Sequence, residues 1–188
     1  MLSANGVNAV LWAIWAAYWF AAAWAVKAVE REVGWQARLA FNAPIWLAAL
    51  LLLGRLPLGP LDQRFVPASP AIAIAGTVIV AVGLGLAIWA RVHLGSEWSA
   101  TVTVKRDHAL IRSGPYGYVR HPIYAGLLLA LAGTALSLGQ WRGLLAFAVV
   151  LASVWYKLRL EERLMEEVFG ADYRAYRTEV PALVPFIR

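Results

Sequence analysis

The chain has 188 residues, 61% of them hydrophobic and 15% charged, with a mean hydropathy of +0.62, a balance that excludes an ordinary soluble domain and fits one compact integral membrane domain. With no cysteine there is no disulfide, thiolate metal site or cysteine nucleophile, and three widely separated histidines argue against any metal site. The net charge of +6 does not point to nucleic acid, because the basic residues lie between apolar runs and are interleaved with acids; membrane lipids with anionic headgroups are the expected partner.

Uncharged runs extend from Met1 to Val26, Leu39 to Gly54, Val66 to Ala90, Pro122 to Trp141 and Gly143 to Tyr156. A hydrocarbon core takes about 20 apolar residues in a helix, so the first, third and fourth runs are predicted spans. The first lacks a basic leader and a clear cleavage site and is expected to stay in the membrane. The second is short, so a span and a re-entrant hairpin both fit it. The fifth is predicted to continue as helix beyond the bilayer, because Lys157 to Val168 holds helix formers with no Gly or Pro before Gly170. The expected fold is thus all-α: a polytopic membrane bundle of about five transmembrane helices.

The loops set an orientation. Alternate connecting segments carry 14 basic residues against 3, which by the positive-inside rule puts the N-terminus outside and the C-terminus in the cytoplasm. The inner membrane, with the site facing the cytoplasm, is the expected location. Glycines recur at Gly76, Gly83 and Gly85 and at Gly126 and Gly133, where they permit close approach of helix backbones. They form no dinucleotide fingerprint, since no strand, third glycine or βαβ unit accompanies them, and no Rossmann domain is expected.

Chemistry concentrates at the mouth of the fourth predicted helix, where Gly114, Pro115, Tyr116, Gly117, Tyr118, Val119, Arg120, His121, Pro122, Ile123 and Tyr124 follow one another. Any one of these residues alone reads as an interfacial anchor. The ordered set reads as a site, because Arg and His beside hydrocarbon need water, an anion or a hydrogen-bond partner. Pro122 suits the first helical position, and the helix start presents free N–H groups and a positive dipole end to a carboxylate or phosphate. On the fifth helix, Lys157, Arg159, Glu161, Glu162 and Arg163 have the spacing of an ion-paired helix surface. Adjacent Glu161 and Glu162 are expected on different faces. If one faces inward, a ligand carrying a carboxylate, an ammonium and a sulfonium matches the combined layout.

These residues resemble a family. His108, Leu110, Ile111, Gly114, Tyr116, Arg120, His121, Pro122, Tyr124 and Gly126, then Glu161 and Glu162, then Phe169, Gly170, Tyr173, Tyr176 and Pro181, resemble the isoprenylcysteine carboxyl methyltransferases and their phospholipid methyltransferase relatives. Leu94, Gly95, Trp98 and Ser99 extend the likeness upstream. The resemblance implies an S-adenosylmethionine-dependent methyltransferase acting on a lipophilic small molecule or lipid. It divides one domain into helices over 1–90 and a cofactor-binding half over 91–188. His108, Ala109, Leu110, Ile111, Tyr116, His121, Pro122, Ile123 and Tyr124 would hold the cofactor together with Glu161 and Glu162. Glu161, Lys157 and Arg120 are the candidate catalytic residues. Lys157 stands where the prenylcysteine enzymes carry Arg, keeping the charge but losing bidentate carboxylate recognition, which weighs against a prenylcysteine acceptor. A carboxylate acceptor needs no base; an amine or thiol would need Glu161, Glu162 or His121 for that role.

Two other readings are phospholipid N-methylation and a steroid-reductase-like, NADPH-dependent reduction. Reductases of that kind typically carry Asn before the Tyr and an acid after the Gly, where this chain has Ile123 and Leu127.

Overall fold

The computed structural model describes residues 3–22, 29–32, 35–53, 57–95, 103–105 and 110–187. In chain order these form α1 (Ala4–Ala22), β1 (Val29–Glu32), α2 (Trp35–Leu53), α3 (Pro70–Leu94), β2 (Thr103–Lys105), α4 (Pro122–Leu138), α5 (Trp141–Phe169) and α6 (Ala171–Glu179). Short 3-10 turns at Gly59–Asp62 and Gly114–Gly117 lie between them. The helical bundle expected from the sequence is present. Among the described residues it adds α6 after the fifth helix and the antiparallel pairing of β1 with β2, which hydropathy did not single out.

Residue chemistry accounts for the element ends. Pro122 opens α4, where a missing N–H costs nothing. Gly139 closes α4 in the left-handed conformation with φ 69°, as a C-terminal glycine commonly does. α5 runs 29 residues to Phe169 and stops at Gly170, so the predicted extension past Tyr156 is a real continuation of the helix. α2 is continuous over 19 residues despite Pro44, which removes the hairpin reading of the second apolar run.

α3 and α4 run antiparallel and make the tightest pairing. A Cβ on Gly83 would lie 2.4 Å from the Ala130 backbone nitrogen, and one on Gly133 would lie 2.6 Å from the Gly76 carbonyl oxygen. Gly76, Gly83, Gly126 and Gly133 are therefore packing residues, as the sequence suggested, whereas Gly85 faces away from the seam and meets nothing. On one side of this pair lies α1: Trp12 Nε1 donates to Thr134 Oγ1 at 3.0 Å. The Trp12–Trp15 pair packs on the Val80–Leu84–Ala130 core, so these tryptophans look inward rather than toward lipid. On the other side α2 packs on α5, with Ala48 and Leu51 against Ala146 and Ser153 Oγ donating to the Phe41 carbonyl at 3.1 Å.

The outer surface is apolar. Ile74, Val78 and Val82 of α3 and Trp46, Leu50 and Leu53 of α2 are all more than half exposed, an arrangement that hydrocarbon rather than water would cover. α3 and α5 are each long and apolar enough to cross a membrane, while Leu39–Leu53 and α4 are shorter apolar helices.

Candidate active site at the mouth of α4

The site begins with backbone geometry. The segment entering α4 is held by the C-terminal tail: Arg120 N–H donates to the Pro181 carbonyl at 2.9 Å and His121 N–H to the Ala182 carbonyl at 3.0 Å. Two consecutive residues are thus fixed just ahead of the helix. No side chain caps this helix start, and an uncapped helix start is suited to an anionic group.

α5 delivers two carboxylates to the same place. Glu162 is buried and accepts from Arg120 Nε at 2.8 Å and Nη2 at 2.5 Å. It also lies 3.3 Å from His121 Nε2. Glu161 Oε2 is 3.6 Å from His121 Nδ1, and Glu161 Oε1 accepts the Tyr124 hydroxyl at 2.5 Å. The two acids point to different faces of α5, as expected, yet both reach His121. They differ by about 100° around α5, and the imidazole of His121 fits into that angle with one ring nitrogen toward each. Lys157 Nζ completes the group 3.9 Å from Glu161 Oε1, lying over the Tyr124 ring at 5.4 Å and the Phe41 ring at 5.6 Å. The helix-surface pairing inferred for Lys157 and Glu161 is present, but it is turned toward the α4 mouth.

The two acids differ in availability. Glu162 keeps 7% of its side-chain surface and takes Arg120 and His121 on Oε1, with Arg177 Nε 3.8 Å from Oε2, whereas the Glu161 side chain keeps 21% of its surface open. Glu162 lies beyond the charge-free part of α5, which ends at Tyr156, so it stands outside the spanning segment. Burial pushes its pKa up, but hydrogen bonds from His121 and Arg120 and their charges overcome this and hold it at about 2. Arg120 is likewise committed. Beyond Glu162 it donates to the Val180 and Arg177 carbonyls, so its guanidinium clamps the tail to α5 rather than standing free for a ligand.

The loop before α4 supplies the remaining wall. Tyr116 is buried with Ile123 and Ala90, and Ile111 packs against that cluster. Leu110 is half-buried beside it in sequence, and Pro122 is fully buried. His108 and Ala109 lie outside the described residues. The tail tyrosines close the loop from the far side: Tyr176 donates its hydroxyl to the Tyr116 carbonyl at 2.6 Å, and Tyr173 is also buried. Burial raises the hydroxyl pKa of all three tyrosines, that of Tyr176 to about 12. Tyr173 and Tyr176 thus pack the tail against the loop. Phe41, Arg177 and the Val180–Ala182 carbonyls were not singled out from sequence. Phe41 sits within an unbroken apolar run, and the carbonyls carry no side-chain signal.

The family model for phospholipid methyltransferases matches residues 71–172, more than half of the chain and the whole stretch from α3 through α5. The chain belongs to the phospholipid methyltransferase family. Among curated members, the protein-S-isoprenylcysteine O-methyltransferase of Schizosaccharomyces pombe is 38% identical over 101 residues, covering 52% of this chain and 43% of that protein. Protein-S-isoprenylcysteine O-methyltransferase B of Arabidopsis thaliana is 31% identical over 118 residues, covering 60% and 58%. The chain spans about half the length of these relatives. A solved structure of the eukaryotic intramembrane Ras methyltransferase ICMT is 23% identical, with a TM-score of 0.45 over 79% of this chain and 63% of that one. The family match includes Tyr116, Arg120, His121, Tyr124, Lys157, Glu161 and Glu162, and leaves out α1, α2 and the tail beyond residue 172.

Proposed function

We propose that this chain is an integral membrane methyltransferase that uses S-adenosylmethionine and acts on a lipophilic acceptor, a carboxylate above all. Membership of the phospholipid methyltransferase family supports the reaction class, and the names of the relatives above support the O-methyl outcome. The observation that carries the reading is the convergence of Glu161, His121, Tyr124 and Lys157 on an uncapped helix start.

That donor set fits the cofactor. Free N–H groups at the start of α4 suit a carboxylate, and the reachable Glu161 carboxylate suits an ammonium or sulfonium. Bound there, S-adenosylmethionine would supply an activated methyl group. The residues in reach are Tyr116, Ile123 and Tyr124 with His121 and Glu161, while Leu110, Ile111 and Pro122 pack behind them; His108 and Ala109 belong to the same proposed binding segment. Glu162 and Arg120 hold this wall in position. Lys157 is the acceptor-side cation, a point charge that draws a carboxylate without fixing its plane. For a carboxylate nucleophile no proton has to move, so alignment and exclusion of water supply the acceleration.

In this reading the chain forms one domain, residues 1–90 contributing helices and 91–188 the cofactor half. Five helices cross the inner membrane with the N-terminus outside, and the site faces the cytoplasm, so the acceptor enters from the bilayer. Reduction is not favoured, because Ile123 and Leu127 stand where a reductase of that type would need Asn and an acid. The test is transfer of labelled methyl from S-adenosylmethionine by the purified protein in nanodiscs, to a farnesylcysteine analogue and to extracted native lipids. Label in either fraction is the expected result. Label in neither, with the protein folded, would refute the assignment.

A further inference from the structure

His93 lies in the last turn of α3, outside the cluster built around Glu161. In the structure its Nε2 shares a hydrogen bond with Ser113 Oγ at 2.9 Å. Its ring stacks on Tyr116, with centroids 6.4 Å apart and planes 25° from parallel. Between these two contacts lies Gly114, at φ 58°, where a Cβ would sit 2.7–2.8 Å from three atoms of the His93 ring. A side chain is thus excluded there twice, by the left-handed backbone and by the imidazole itself.

We propose that His93 is the positioning residue of the Ser113–Gly117 turn, setting the pose of Tyr116 and so the affinity for the cofactor; this rests on the methyltransferase reading of the site. The turn is held from two sides. Tyr176 of α6 grips the Tyr116 carbonyl, and His93 of α3 grips the preceding Ser113 and the face of the ring. Tyr116 is also tied to α3 by packing in one buried cluster with Ala90, and by a long hydrogen bond from its hydroxyl to the Ala90 carbonyl at 3.5 Å, which is weak. His93 itself is exposed, which separates it from a core requirement: removing an exposed ring leaves the helical packing and the Tyr116–Ala90 contact intact while releasing the hold on Ser113 and on the face of the Tyr116 ring.

The experiment uses the full chain in nanodiscs. It measures the S-adenosylmethionine Kd by titration, the cofactor KM and kcat by labelled methyl transfer, and thermal unfolding, for wild type, His93→Ala, His93→Gln and Ser113→Ala. In His93→Ala and Ser113→Ala the cofactor Kd and KM are expected to rise about five- to tenfold, the size of one lost hydrogen bond, with kcat and the unfolding midpoint unchanged. His93→Gln, which carries a polar group to the same Ser113 hydroxyl, is expected to recover most of the loss. Wild-type affinity in both His93→Ala and Ser113→Ala would overturn the inference, as would a Gln variant no better than Ala. A loss of affinity that merely tracks a lower unfolding midpoint would also overturn it. A wild-type protein that binds no S-adenosylmethionine would instead refute the functional reading on which the inference rests.

Discussion

Glu162→Ala is expected to destabilise the protein by about 3–5 kcal/mol, because it strands a buried guanidinium. The Arg120 and Glu162 side chains retain only 8% and 7% of their surface, and Arg120 connects α5 to the tail carbonyls as well as to the α4 mouth. Losing the carboxylate therefore loosens three elements at once. Arg120→Met with Glu162→Leu removes both charges and is expected to recover a good part of the loss, since an apolar pair avoids the desolvation cost that an unpaired ion suffers. Unfolding of the three proteins in mild detergent, followed by circular dichroism, checks this. A Glu162→Ala protein as stable as wild type would mean that the pair is not formed in the membrane.

Gly83→Leu is the second large effect. A Cβ at this position would sit 2.4 Å from the Ala130 backbone nitrogen and 2.5 Å from the Gly126 carbonyl oxygen, so the obstacle is backbone, which no rotamer change relieves. α3 and α4 must part, at a cost of about 1–3 kcal/mol or more. The functional consequence is larger, because His121 and Tyr124 stand at the start of α4: a displacement of about 1 Å at a reacting centre costs on the order of a hundredfold in rate. Gly85 provides the control. A Cβ there meets nothing within 4 Å, so Gly85→Ala is expected to be neutral or to stabilise by about 0.5–1 kcal/mol through helix propensity. Expression level, unfolding midpoint and methyl transfer of the two variants measure the contrast. Equal behaviour would show that the seam tolerates separation.

Local signals made much of this fold readable. Pro122 marked the start of α4, Gly170 the end of α5, and the glycines of the third and fourth runs marked the seam between α3 and α4. Each follows from one residue type acting on its own backbone. The partners at the site were less readable, because they depend on folding distant segments together. Arg120 and Glu162 are 42 positions apart, and Arg120 reaches Val180 across 60. From sequence, Arg120 read as a candidate catalytic residue at a helix mouth, in need of an anion or a hydrogen-bond partner that the sequence did not name; the structure gives it a carboxylate and two tail carbonyls. Glu161 and Glu162 do point to different faces of the helix, as expected, but nothing in the sequence showed that the His121 ring lies between them with one nitrogen toward each. Phe41 was hidden for a different reason: an aromatic residue inside an apolar run gives no sign that a lysine from another helix will lie on it.

The central claim is that Glu161, open to a ligand while Glu162 is locked, holds the positive part of the methyl donor beside the start of α4. The most direct measurement is isothermal titration of S-adenosylmethionine into purified wild type and Glu161→Gln, with NADPH titrated in parallel. The expected result is saturable binding by wild type, an affinity lower by about tenfold or more in Glu161→Gln, the scale of a hydrogen bond to a charged group, and no heat from NADPH. Equal affinity of the two proteins for S-adenosylmethionine, or saturable binding of NADPH instead, would contradict it.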